Sequence, residues 1–307
     1  MPRLSRIRIG TSGWHYPRGE DRWSGVFYPP GVPDELAYYA ARFDTVEINT
    51  TFYRPAPPAA TRAWAARTPD GFVFAVKLYR GFTHPDAGRP AGRPPAARAD
   101  VERFLEGLAP LVEAGKLGAL LAQFPPSFTR SAANLEALEA LLAAVGDLPV
   151  VVELRHRSWS EGEAADATEE LLLKYRAGWV QIDEPKFASS IRQPLRVRGG
   201  IGYFRLHGRN ARMWWRKDAG GRRYDYLYSD EELAPLARAV ADTSDRAEQT
   251  FVYFNNHFRA QAVANALMFK EQLGLPVGGP YEPSLVEAFP VLAGRVPVAA
   301  SGQPRLV

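Results

Sequence analysis

Five short segments of this 307-residue chain carry polar residues two apart, the spacing that sets side chains on one face of a β-strand. In Val46-Glu47-Ile48-Asn49, Glu47 and Asn49 share one face, and apolar Val46 and Ile48 share the other. The same period selects Lys77, Gln123, Glu153 with Arg155, Gln181 with Asp183, Tyr203 with Arg205 and His207, and Tyr253 with Asn255. Glu47, Glu153, Asp183 and His207 are the proton carriers of this set. Burial beside one another separates their pKa values, which is the condition for acid–base catalysis. Lys77, Arg155 and Arg205 suit a phosphate or carboxylate, because guanidinium forks match such oxyanions and lysine adds a point charge. Asn49, Gln123 and Asn255 offer orienting amides, and Trp14 and Tyr226 offer a wall against water. Any one of these residues is explained equally well as a salt bridge closing a sheet. The whole constellation is not, because unpaired ionisable groups in one enclosure are costly. The expectation is an acid–base site for a small anionic ligand.

The same carboxylates, with His207 and either His257 or His84, form the rival reading as a metal site. Three nearby cations oppose a divalent ion and no H-E-x-x-H spacing is present, so neither a metal nor a cofactor is expected. The absence of cysteine removes disulfides, zinc thiolates, iron–sulfur clusters and cysteine nucleophiles. There is no phosphate-binding P-loop, no G-x-S-x-G elbow and no G-x-G-x-x-G after the first strand. Net charge is +4, with arginine far commoner than lysine. The one basic and aromatic segment, Arg209–Tyr228, supports the alternative of a platform for single-stranded or damaged nucleic acid, which is not favoured. No apolar run is long enough for a membrane span, and Met1–Gly10 lacks the apolar stretch of a signal peptide, so a cytoplasmic protein is expected. Oligomeric state is not legible in the sequence.

The elements that must position these residues alternate in type. Strands are expected at Ile7–Thr11, Thr45–Asn49, Val73–Lys77, Ala119–Gln123, Val150–Arg155, Trp179–Asp183, Gly202–His207 and Thr250–Asn255, with helical patterns between most of them. Leu135, Leu138, Leu142 and Val145 trace one apolar helical stripe. Gly115, Gly146, Gly178 and Gly274 stand where helices need a left-handed stop, and Ser229 with Glu232 has capping-box spacing. Eight βα units fit a single (β/α)8 barrel over residues 1–275, with a loop-like extension over 276–307. The sixth crossover, 184–200, shows no convincing helix, and Gly88–Ala97 reads as an exposed loop. In such a barrel the polar residues gather at the C-terminal ends of the strands.

Several ordered motifs carry a family resemblance. Ile9-Gly10-Thr11-Ser12-Gly13-Trp14, Phe27-Tyr28-Pro29 and Glu47-Ile48-Asn49-Thr50-Thr51-Phe52-Tyr53 resemble the opening of the YecE-like proteins, known as domain of unknown function 72. Phe74-Ala75-Val76-Lys77, Gln123-Phe124-Pro125-Pro126-Ser127-Phe128, Glu153-Leu154-Arg155-His156, Tyr224-Asp225-Tyr226-Leu227-Tyr228 and Tyr253-Phe254-Asn255-Asn256-His257 are similar to later blocks in the same order. The resemblance implies a single TIM barrel and no established reaction. That barrel is distantly similar in fold to endonuclease-four and xylose-isomerase types, which adds metal-dependent phosphodiester hydrolysis as an alternative. Such an endonuclease needs many histidine and carboxylate ligands, and this sequence offers one clear inward histidine, His207.

Overall fold

The computed structural model describes residues 6–84, 97–193, 200–216 and 218–300. All of the expected 88–97 loop except Ala97 lies outside them, as do residues 194–199 of the sixth crossover and the last seven residues of the extension. The strands are β1 (Ile7–Thr11), β2 (Thr45–Ile48), β3 (Val73–Lys77), β4 (Leu117–Gln123), β5 (Val150–Glu153), β6 (Gly178–Trp179), β7 (Gln181–Asp183), β8 (Ile201–Leu206) and β9 (Gln249–Phe254). The helices are α1 (Glu35–Ala40), α2 (Pro58–Ala66), α3 (Arg80–Thr83), α4 (Arg98–Glu113), α5 (Ala132–Val145), α6 (Ala164–Lys174), α7 (Asp230–Ser244), α8 (Gln261–Gln272) and α9 (Pro283–Ala288). The α/β alternation therefore follows the hydrophobic pattern. Leu138, Leu142 and Val145 bury the stripe of α5, and Ser229 with Glu232 closes a capping box at the start of α7. Residues 184–193 form no helix.

Where a closed eight-stranded barrel is expected, the hydrogen-bonded ladder forms two parallel sheets, ordered β1-β9-β8-β7 and β2-β3-β4-β5-β6. Both divisions have local causes. The expected sixth strand changes partner at Val180: its N–H donates to Val152 O at 2.9 Å, while Gln181 already pairs with Phe204. Between β1 and β2, the Tyr39 hydroxyl occupies groups a ladder would use, accepting from Thr11 N at 2.9 Å and donating to Thr45 O at 3.1 Å. One parallel bridge, Ser12 to Glu47, follows that insertion.

Two other expectations change. Gly178 does not stop α6 but opens β6. The left-handed residue there is Arg176, at φ 53°. Glycine is required at 178 because a Cβ would lie 2.7 Å from the Ile201 carbonyl oxygen of β8. The extension is also more ordered than a loop. Its α9 buries Leu285, Tyr281 pairs with Val298, and Arg295 forks onto Asp230 at 2.7 and 2.8 Å. Apolar anchors, invisible to a reading based on proline and glycine content, hold it against the body.

The interior of the strands is layered. Phe251 and Tyr253 stack with ring centroids 6.1 Å apart, and Phe251 approaches so close to Gly118 that a Cβ there would lie 2.9 Å from its ring. These aromatic rings fill the lower interior and leave the C-terminal ends of the strands to the polar residues. Among the described residues no helix is long and apolar enough to cross a membrane.

The β1–β2 junction generates a test. A Cβ on Gly10 would lie 2.3 Å from the Thr45 carbonyl oxygen, a backbone atom that cannot swing away, whereas at Gly115 it meets open space. Gly10→Ala is expected to cost about 2–3 kcal/mol and Gly115→Ala, strained only by its positive φ, about 1 kcal/mol. Equal losses in denaturant unfolding would contradict the close junction.

Candidate functional site

Above the aromatic layer lies a buried array of charges. Arg205, from β8, forks onto Glu47 of β2, with Nε to Oε2 at 2.9 Å and Nη2 to Oε1 at 2.7 Å. Its Nη1 donates to Glu153 Oε2, at the end of β5, at 2.5 Å. Glu47 and Glu153 are 0% exposed and Arg205 is 2% exposed. Glu47 also accepts from the Tyr203 hydroxyl at 2.7 Å and from Asn49 Nδ2 at 3.2 Å, so its carboxylate is saturated. Arg155 continues the array: Nε donates to Glu153 Oε1 at 2.6 Å, Nη1 to Glu184 Oε2 at 3.1 Å and Nη2 to His207 Nε2 at 3.1 Å.

The electrostatics follow from this geometry. Burial acts to raise the Glu153 pKa, but Arg155 and Arg205 overcome it and hold the carboxyl well below its usual range. Burial lowers the His207 pKa strongly, and Arg155 and Arg205 lower it further, so the ring is neutral. Because Arg155 can only donate, Nε2 of His207 accepts. Its Nδ1 lies 2.8 Å from Asn255 Nδ2. Burial also raises the Glu184 pKa.

A cavity of about 770 Å³ opens over this array. Of the residues expected at the site, Trp14, Asn49, Lys77, Gln123, Arg155, Arg205 and Asn255 line it. Glu47, Glu153 and His207 lie beneath the lining, joined to it through Arg205, Arg155 and Asn255. Asp183 and Tyr226 are not brought to it. Arg209 forks onto Asp183 at 2.7 and 2.9 Å, the Tyr228 hydroxyl donates to Asp183 at 2.7 Å, and the Tyr226 hydroxyl donates to Glu232 at 2.5 Å. None of the four expected proton carriers is part of the cavity wall.

Lys77, the last residue of β3, is different. Among the described residues it has no carboxylate in ion-pair range and no hydrogen-bond acceptor. Its Nζ lies 4.0 Å from the centre of the Phe52 ring. Burial and then the Arg205 guanidinium bring its ammonium down to about 7, against the opposing pull of Glu153 and Glu47.

The sequence reading misses much of the wall. Phe52 stands on a short 3₁₀ turn after β2, and Trp64 of α2 meets Trp14 edge-on at 6.0 Å. His257 is sandwiched between Tyr16 and Tyr224 at 4.6 and 4.7 Å, and at the mouth Glu35 pairs with His15 Nδ1 at 2.6 Å. These side chains come from loops, turns and helices, where strand periodicity says nothing. Glu184 is missed for a related reason, since it lies just beyond β7 where the pleat no longer governs direction.

The basic aromatic loop is largely self-neutralised. Besides the Arg209 fork on Asp183, Arg216 pairs with Asp218 and Arg222 pairs with Glu20 through two bonds of 2.6 Å. Trp214 is buried, leaving Trp215 as the exposed indole, at 60%. No group of three or more His, Asp or Glu among the described residues is placed to hold a metal ion.

The comparisons agree with the family resemblance. Residues 8–287 match the family described as "Protein of unknown function DUF72". The chain belongs to the DUF72 family. It is 30% identical to the UPF0759 protein YunF of Bacillus subtilis over 285 residues, covering 89% of this chain and 96% of that protein. It is 30% identical to the UPF0759 protein YecE of Escherichia coli over 161 residues, about half of each chain. A DUF72 family crystal structure from Thermotoga maritima is 36% identical with a TM-score of 0.74, covering 87% of this chain and 99% of that one. Another, from Enterococcus faecalis, is 28% identical with a TM-score of 0.77, covering 89% and 98%.

Removing Arg205 tests the array. Arg205→Leu leaves Glu47 and part of Glu153 buried without their counter-charge, and is expected to cost about 3–5 kcal/mol at neutral pH. The depressed folded pKa of Glu153 means its contribution is fully present above its unfolded value of about 4.3 and is lost as pH falls. The wild-type protein therefore loses stability in acid, and the deficit of the variant shrinks below about pH 4. Denaturant unfolding across pH checks this, and a deficit constant into acid would contradict it.

Proposed function

We propose that this DUF72 protein is a cytoplasmic enzyme acting on a small anionic metabolite, phosphorylated or carboxylated. In this reading its two parallel sheets form the wall of one (β/α)8 barrel, and the substrate sits at the C-terminal ends of the strands. The observation that carries the proposal is the placement of charge: Lys77, Arg155 and Arg205 line the cavity above Glu47 and Glu153, and the lining carboxylate, Glu35, pairs with His15. Arg205 uses three of the five N–H donors of a guanidinium on the two carboxylates, which leaves two for an oxyanion.

The roles expected from sequence are redistributed accordingly. Arg155 and Arg205 hold the anion, and Asn49, Gln123 and Asn255 orient the rest of the ligand. Phe52, Trp14 and Trp64 exclude water, which strengthens every charge interaction inside. Lys77, brought near neutrality, exchanges the proton. Glu47, Glu153 and His207 act as positioning residues through the arginines and Asn255, and Asp183 fixes Arg209.

Inorganic phosphate is the simplest probe. At ionic strength matched with chloride, it is expected to raise the melting temperature saturably. Arg155→Lys keeps the charge but loses the fork, and is expected to weaken phosphate binding about tenfold. Stabilisation by phosphate no greater than by chloride, or binding unchanged in Arg155→Lys, would overturn the proposal.

A further inference from the structure

Lys77 has chemistry that holding an anion does not use. Its backbone is fixed where β3 ends, because the Thr51 hydroxyl donates to the Lys77 carbonyl at 2.6 Å. Its side chain runs into the cavity with Nζ above Phe52. Other lysines in the described residues are engaged. Lys116 donates to Ala65 O, Thr68 O and Thr68 Oγ1 at 2.7–3.1 Å, Lys174 pairs with Glu139 at 3.0 Å, and Lys186 donates to Ile182 O at 3.3 Å. Lys270 is also buried, with Nζ 4.9 Å from the centre of the Phe43 ring, but it is not among the cavity-lining residues. Lys77 thus combines an amine without a carboxylate partner, an apolar ring against it and access to an enclosed cavity. The same cavity presents three arginines, Arg155 and Arg205 at the buried array and Arg67, which is paired with Asp34.

We propose that Lys77 is a catalytic nucleophile that forms an imine with a small aldehyde or ketone bearing a phosphate or carboxylate group. This rests on the anion-site reading, which supplies the arginines that would hold the charged end. The amine lone pair attacks the carbonyl carbon, and the carbonyl π pair moves to oxygen, which takes up a proton as nitrogen loses one. The resulting carbinolamine is protonated on its hydroxyl and expels water as the C=N bond forms. No oxidant or reductant is consumed, and addition of water in reverse restores the lysine. While it lasts, the protonated imine withdraws electrons from the bonds of the adjacent carbon, so proton abstraction or C–C cleavage there becomes feasible. Burial and the Arg205 charge leave a substantial fraction of the side chain as free amine at neutral pH, which this attack requires.

The test uses the full-length protein with pyruvate or glyceraldehyde 3-phosphate in the presence of cyanoborohydride, which reduces an imine to a stable secondary amine. The expected result is one reduced adduct, mapped by peptide mass spectrometry to Lys77, suppressed by excess inorganic phosphate and absent from Lys77→Arg. An adduct spread over the other lysines, one on Lys270, or one that persists in Lys77→Arg would overturn the proposal. Phosphate stabilisation without any Lys77 adduct would overturn the imine while leaving the anion site standing. The loss of both would overturn the two readings together.

Discussion

Arg205 cannot shed its charge, so everything around it is arranged to neutralise a guanidinium in the middle of a protein. Glu47 receives its fork and Glu153 its remaining arm. Arg155 then balances Glu153 and draws in Glu184 and His207. An array of this kind is a weak source of net stability, since desolvation offsets much of its attraction, but breaking it is expensive. Its consequence is positional. Residues on β2, β5 and β8, elements of both sheets, are tied to one another across the interior at fixed distances. The array also rests on the aromatic layer, through the Tyr203 hydroxyl on Glu47. The cavity inherits its shape and its sign from these ties.

The same constraint explains why carboxylates that looked catalytic are better understood as counter-charges. A carboxylate that accepts a bidentate arginine and two further hydrogen bonds, as Glu47 does, has no free lone pair facing a substrate. Neutral His207 is likewise occupied on both ring nitrogens. What lines the cavity directly above these carboxylates is cationic or amide, Lys77 among it, while the lining carboxylate Glu35 is paired with His15.

The fold was largely legible because βα alternation and strand period are local signals, and most strands begin and end within two residues of their expected limits. Period two also placed Glu47, Glu153, Arg205 and His207 correctly in the interior. It could not say who pairs with whom. Asp183, expected at the rim, is not part of the cavity lining, because Arg209, from the loop after β8, forks onto it. The partner change at Val180 and the insertion of Tyr39 are tertiary events with no periodic signature. The aromatic wall was hidden for the same reason, since Phe52, Trp64 and Tyr224 lie on turns and a helix rather than on strands.

In the proposed function the cation-lined floor, and not the buried carboxylates, meets the ligand. A crystal soaked in tungstate, a heavy oxyanion located by its anomalous scattering, examines this directly. The account predicts an ordered peak within hydrogen-bond reach of Arg155 and Arg205 and beside Lys77, with the Arg205 contacts to Glu47 and Glu153 intact. Tungstate confined to surface arginines such as Arg212 or Arg223, with the cavity floor empty at saturating concentration, would contradict it.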